Sequence, residues 1–163
     1  AEKEFLMALV KSCCKNICDF RAQEGEALKQ EFEKLIFGLK DMLEQIGTFE
    51  QDRVTAIRER MNKALKELDT AAVDQNRLEQ EMIFYIEKLD ISEEKMRLGN
   101  HLDYFLETMV IERTGKKLGF IAQEIGREIN TLGSKSNHAQ MQKIVVDMKD
   151  SLEKIKEQVL NTL

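Results

Sequence analysis

The sequence has no proline and no tryptophan, and its 163 residues include only 8 glycines and 3 cysteines. At ordinary frequencies about eight prolines would be expected in a chain of this length. Their absence removes the residue that most often breaks a helix, by locking φ and deleting a backbone N–H. No run of Val, Ile, Thr and aromatic residues alternates with polar ones between turn residues, so strands are not signalled. No apolar stretch reaches the roughly 18 residues that a membrane-spanning helix needs. The opening AEKEFLMALVKSCC is charged and amphipathic throughout, unlike a secretory signal. Cys13, Cys14 and Cys18 share one predicted helix, at spacings that suit neither a zinc knuckle nor a redox pair. They are expected to be reduced and half-buried, in keeping with a cytoplasmic protein. The chain begins without methionine and reads as a processed protein or a piece of a longer one.

What the sequence does contain is helical. Charged residues make up 34% of it, and the formal net charge is −5. Residues 1–94 carry 14 Lys/Arg against 21 Asp/Glu, whereas residues 95–143 carry 8 against 5. An acidic total argues against general affinity for polyanions, but the one basic segment offers a local positive surface. An imbalance of that size is also within ordinary fluctuation.

Apolar residues from Leu6 through Phe20, Leu28, Phe32, Leu39 and Ile46 step by three and four. They mark one long amphipathic helix, or two joined near Gly25. Gly47 is a natural stop, with Thr48 available to cap the next helix. Val54, Ile57, Met61, Ala64, Leu65 and Leu68 continue the pattern until Asp69-Thr70 or Asp74 breaks it. Leu78, Met82, Tyr85 and Leu89 follow, and Ser92 is a fair N-cap for a helix through Leu98, Leu102 and Phe105. A helix from Gly115 carries Leu118, Ile121, Ile125, Ile129 and Leu132, closed by Gly133. The last helix bears Met141, Val145, Met148, Leu152, Ile155 and Val159, a regular heptad seam. The expected fold is all-α: an elongated bundle of about six or seven helices with long antiparallel, coiled-coil-like pairs. It divides into a helical hairpin arm over 1–72 and a motif-bearing bundle over 73–163. Such seams pair with each other or with another copy, so self-association is expected.

Several polar groups stand out. Glu24 lies in phase with Ile17 and Phe20, where a carboxylate is costly unless paired or near water. Alternatively, the helix turns away from the core at Gly25. Asp90, Glu94, Arg97 and His101 share one helical face, either as a solvated ion-pair ladder or as groups that hold a cation or move protons. Lys117, Glu124 and Glu128 line one edge of the Gly115 helix, with Arg127 beside them. Ser134, Lys135, Ser136 and Asn137 form an anion-friendly corner or a well-capped turn. Glu79, Gln80 and Glu81 make a third polar group on the preceding helix. Side-by-side packing would bring Glu81, Glu94, His101, Glu124 and Glu128 together.

In order along the chain, RAQEGEAL (21–28), NRLEQE (76–81), LDISEE (89–94), Arg97-Leu98 with His101 and Phe105, GKKLGFIAQEIGREINTLGSKSN (115–137) and EQVLN (157–161) form a distinctive set. Together they resemble the C-terminal half of the YicC-like family of bacterial endoribonucleases, over nearly all of residues 20–161. Asn100 stands where the family often has Ser or Ala. Gly119 stands where an Asp is usual. The family's β-rich N-terminal half has no counterpart in the chain. The resemblance implies a C-terminal RNA-gripping and catalytic domain of a Mg²⁺- or Mn²⁺-dependent, oligomeric endoribonuclease, inactive alone. A carboxylate-held metal would stabilise phosphate charge and activate water. In that reading His101, Glu124 and Glu128 are the catalytic candidates, and Glu81 and Glu94 the metal ligands. Arg97, Lys117, Arg127 and Lys135 are the RNA contacts. The alternatives are a non-catalytic RNA-binding adaptor and a helical oligomerisation domain.

Overall fold

The computed structural model describes residues 2–67, 75–111 and 113–162, and among them the secondary structure is six helices and no strand. They are α1 (Glu2–Thr48), α2 (Glu50–Glu67), α3 (Gln75–Lys88), α4 (Ser92–Met109), α5 (Gly115–Lys135) and α6 (Ala139–Val159). This is the all-α bundle expected of a proline-free chain with three-and-four apolar spacing. Helix α1 runs unbroken for 47 residues through Gly25, so the two-helix alternative does not apply. It ends at Thr48, and the Phe49 N–H bonds the Ile46 carbonyl at 3.2 Å to close the turn. The Thr48 hydroxyl donates back to the Gln45 carbonyl at 2.7 Å rather than capping α2. The side chains of Val54, Ala64 and Leu65 lie outside the described residues, as do Leu68, Asp69, Thr70 and Asp74.

Four helices build the core. The last half of α1 packs on α4 and α6, α4 packs on α5, and α5 packs on α6. Phe32, Ile36, Leu39 and Ile46 of α1 are buried among Leu98, Leu102 and Phe105 of α4 and the apolar stripes of α5 and α6. Phe32 meets Phe105 edge to face, with ring centroids 5.3 Å apart. All six seam residues of α6 are buried, so the heptad closes on its own chain. The core therefore draws on both sides of the 72/73 division, because α1 reaches back into the bundle. Helix α3 is not packed along any of these four among the described residues. Arg60 ties α2 to α3 through the Tyr85 hydroxyl at 3.3 Å.

Helices α5 and α6 approach closely because α5 turns small residues toward its partner. A Cβ on Gly126 would sit 3.1 Å from Leu152, and one on Gly133 would sit 3.0 Å from Val145. Gly133 thus serves packing and not the helix stop: α5 continues to Lys135, and no described glycine has positive φ. Gly119, where the family usually has Asp, faces Val159 at an ordinary 3.7 Å.

The first half of α1 contrasts with the second. Residues 2–27 are exposed throughout, including Phe5, Leu6, Leu9, Val10, Ile17 and Phe20. Cys13, Cys14 and Cys18 are free and exposed there, not half-buried, because no described helix covers that stretch. No described helix is long and apolar enough to cross a membrane.

Candidate functional site

Of the polar groups singled out in the sequence, Glu24 lies on α1 and Glu79, Gln80 and Glu81 on α3. The others lie at the start of α4, on α4 and α5, and in the turn that follows α5. At the entrance to α4, the Asp90 carboxylate accepts the Ser92 hydroxyl at 2.8 Å and the Ser92 N–H at 3.3 Å. These bonds from Ser92 hold the Asp90 carboxyl below its usual range. Ser92 is the first helical residue and not the N-cap, since the carboxylate two residues earlier satisfies its N–H. One turn on, Glu94 is buried, with 7% of its side chain exposed, and accepts the Lys135 ammonium at 2.8 Å. Lys135 also donates to the Asp90 carbonyl at 2.9 Å. The second Glu94 oxygen, Oε2, is buried without a partner.

This geometry uses up the corner after α5. Lys135 is committed to Glu94, Ser134 bonds the Thr131 carbonyl at 2.8 Å, and Ser136 bonds the Leu132 carbonyl at 2.6 Å. The Gln142 amide donates to the Gly133 and Ser136 carbonyls. Lys135 and Ser136 are turned inward, and exposed Ser134 spends its hydroxyl on its own helix, so three of the four residues expected to greet an anion are engaged within the α5–α6 connection. His138, at the N-cap of α6, stacks on Phe49 with centroids 5.2 Å apart.

The middle of the α4–α5 seam is different. Two contacts set an antiparallel register: Glu94 to Lys135 at one end, and Lys117 over the Tyr104 ring at 4.6 Å toward the other. Between them α4 carries half-buried His101, and α5 carries Glu124 and Glu128. Glu128 is only 6% exposed and forms none of the hydrogen bonds or ion pairs found among the described residues. Its carboxylate oxygens are not among the buried unpaired atoms, so the stem is buried while the charged end keeps contact with solvent. Glu124 is exposed beside Arg127, at 3.9 Å. Arg97 is exposed and paired with Glu93 one turn earlier. The four-residue face on α4 thus splits: Glu94 turns in, Arg97 turns out, and Asp90 precedes the helix. Tyr104, absent from the sequence-derived set, joins the face through Lys117.

The metal-ligand pair does not assemble in the same way. Glu81 is exposed on α3, while Glu94 is held by Lys135 on α4. Among the described residues no group of three or more His, Cys, Asp or Glu side chains converges to hold a metal ion. The donors that the described residues bring together therefore do not fit a divalent cation.

Comparison with known proteins agrees with the motif reading. Residues 46–162 match the family described as "Endoribonuclease YicC-like, C-terminal". The "Probable endoribonuclease YicC" of Clostridioides difficile (strain 630) is 36% identical over 146 residues, covering 88% of this chain and 50% of that protein. Its counterpart in Haemophilus influenzae is 32% identical over 155 residues, covering 89% of this chain and 52% of that protein. The chain spans about half the length of these relatives. A matched segment that takes in α2 to α6, together with these two likenesses, makes the chain a member of the YicC-like endoribonuclease family, corresponding to its C-terminal domain.

Proposed function

We propose that this chain is the RNA-gripping and catalytic helical half of an endoribonuclease that cuts RNA phosphodiester bonds, acting together with an N-terminal half in the whole protein. The observation that carries the reading is the middle of the α4–α5 seam. There, half-buried His101 on α4 and exposed Glu124 and buried Glu128 on α5 lie between the two contacts that set the seam's register, on helices that also carry exposed cations. Cleaving a phosphodiester requires a base for the attacking hydroxyl or water and an acid for the leaving 5′ oxygen. A carboxylate at Glu128 or Glu124 takes the first proton, and the imidazolium of His101 gives the second. Lys117, Arg127 and Arg97 are exposed along the same helices and suit phosphate contacts. Lys135 leaves that set, since its ammonium is bound to Glu94.

Two further properties belong to the proposal. Self-association through the start of α1 is supported by the exposed side chains of Phe5, Leu6, Leu9 and Val10. A Mg²⁺ or Mn²⁺ requirement would draw on donors beyond Glu81 and Glu94, since no group of three or more such donors converges among the described residues. A cytoplasmic setting fits three free thiols.

The test is a cleavage assay of the whole protein on single-stranded and hairpin RNA, with Mg²⁺, Mn²⁺ or EDTA. Cutting that His101→Ala and Glu124→Gln remove, without loss of folding, is the expected result. Absence of cutting under every condition would sink the nuclease reading. Persistence of cutting in EDTA would remove the metal from it.

A further inference from the structure

We propose that the cleft between α1, the α4–α5 turn and the end of α6 binds one nucleotide of a single-stranded RNA, at a site distinct from the α4–α5 seam. The inference rests on the RNA reading above and adds a location and a ligand. The cleft has a volume of about 640 Å³, within the roughly 300–1,000 Å³ of small-ligand sites. Two of the family-like segments, 21–28 and 157–161, stand at opposite ends of the sequence and had no assigned role. They meet here: Arg21, Glu24 and Gly25 line one wall, and Gln158 and Asn161 another.

Three features give the cleft the chemistry of a nucleotide site. Phe20, at its edge, is 61% exposed, an aromatic face of the kind on which bases stack. Arg21 and Arg113 bring guanidinium groups suited to a phosphate. The N-terminus of 21-residue α5 also opens onto the cleft, and no side chain caps it, so its first N–H groups add a second anion-binding element. The amides of Gln158 and Asn161 can pair with base edges, and the Glu24 carboxylate can accept a ribose 2′-hydroxyl.

Arg113 is the most telling residue. Its φ of 60° is left-handed, and it is the one described non-glycine residue with positive φ. Glycine would adopt that conformation freely, so arginine there keeps a side chain at a backbone cost. The frame around it is fixed. The Thr114 hydroxyl bonds the Ile111 carbonyl at 2.8 Å, and a Cβ on Gly115 would collide with Thr162.

The test uses the whole protein and fluorescence anisotropy with a 5′-fluorescein oligouridylate of about ten nucleotides, a length typical of single-strand sites. Arg113→Gly is the key variant: it should weaken binding roughly tenfold or more while leaving Tm equal or higher, because glycine relieves the left-handed backbone. Arg21→Glu should weaken binding at least as much. Lys143→Glu, at the opposite end of α6, should stay within about twofold. Equal weakening by Lys143→Glu would mean diffuse charge attraction and overturn the site. If Arg113→Gly and Arg21→Glu bind like the parent while Lys117→Glu does not, the RNA contacts lie on the α4–α5 seam. That result overturns this site and leaves the RNA reading standing. No binding by the whole parent protein overturns both.

Discussion

Glu94 and Glu128 are buried to the same degree, each 6% exposed, yet the molecule treats them in opposite ways. Glu94 lies where α4 begins and α5 ends, and a lysine from the facing helix meets it at 2.8 Å. Glu128 lies midway along the seam, and among the described residues no cation or hydrogen-bond donor meets it. Burying a carboxylate is unfavourable in both places. At Glu94 an ion pair through one oxygen offsets part of the cost and also pins the turn before α4, through the Asp90 carbonyl, while the other oxygen stays buried and unpaired. At Glu128 the fold supplies no such partner among the described residues, yet neither carboxylate oxygen is a buried unpaired atom, so the charge reaches solvent at the seam surface, where a substrate can meet it. The contrast separates a clamp from a candidate reactive group on the same pair of helices.

Breaking the clamp should have the largest effect on stability. Lys135→Ala leaves Glu94 buried and unpaired, and should lower the unfolding free energy by about 2–4 kcal/mol, read from urea denaturation. Replacing both residues with apolar ones of similar size should restore most of that loss. If Lys135→Ala unfolds like the parent, Glu94 is not held by that pair.

Crowding the α5–α6 contact should come next. Gly133→Ala places a methyl 3.0 Å from Val145, and a tight core charges about 1–2 kcal/mol for such overpacking. Gly119→Ala has ordinary room beside Val159, and removing a helix-interior glycine should stabilise by up to about 1 kcal/mol. A thermal melt of the two variants should move Tm in opposite directions.

The open part of the seam should respond in RNA affinity and not in stability. Lys117→Ala removes a cation resting on Tyr104, and should weaken RNA binding by roughly two- to tenfold with Tm nearly unchanged. A large fall in Tm instead would make Lys117 a structural partner of Tyr104.

Smallest is the pH effect at Asp90. Its carboxyl is held low in the folded state, chiefly by Ser92. Stability from this group is thus present above the unfolded pKa of about 3.9 and is lost as pH falls through the lower folded value. Because the group is exposed, the effect is small and screened. Asp90→Asn should flatten a slight downward slope in stability below about pH 4, measured by denaturation across that range.

Helix identity was legible in the sequence because period and burial are coupled. Every one of Met141, Val145, Met148, Leu152, Ile155 and Val159 is buried, as a heptad seam requires. Periodicity says which face is buried, but not what covers it. The seam of α6 meets α1 and α5, while the equally periodic first half of α1 remains open. The same limit explains Lys135. Its sequence neighbours suggested an anion site, but its partner Glu94 lies 41 positions away and only the packing of α4 on α5 joins them. Gly133 resembled a helix stop until the proximity of Val145 supplied another reason for a missing Cβ. His101, Glu124 and Glu128 were placed on their helices by spacing alone. Nothing in that spacing distinguished the buried, unpartnered Glu128 from its exposed neighbour Glu124.

The most direct measurement compares Glu128→Gln with Glu94→Gln in the whole protein, following RNA cleavage rate and Tm together. Glu128→Gln keeps the shape and removes the unpaired charge. It should lower cleavage by about a hundredfold or more with Tm unchanged or raised, whereas Glu94→Gln should lower Tm and spare cleavage in the protein that remains folded. Full cleavage by Glu128→Gln, or loss only in step with unfolding, would contradict the assignment of Glu128 as the working carboxylate.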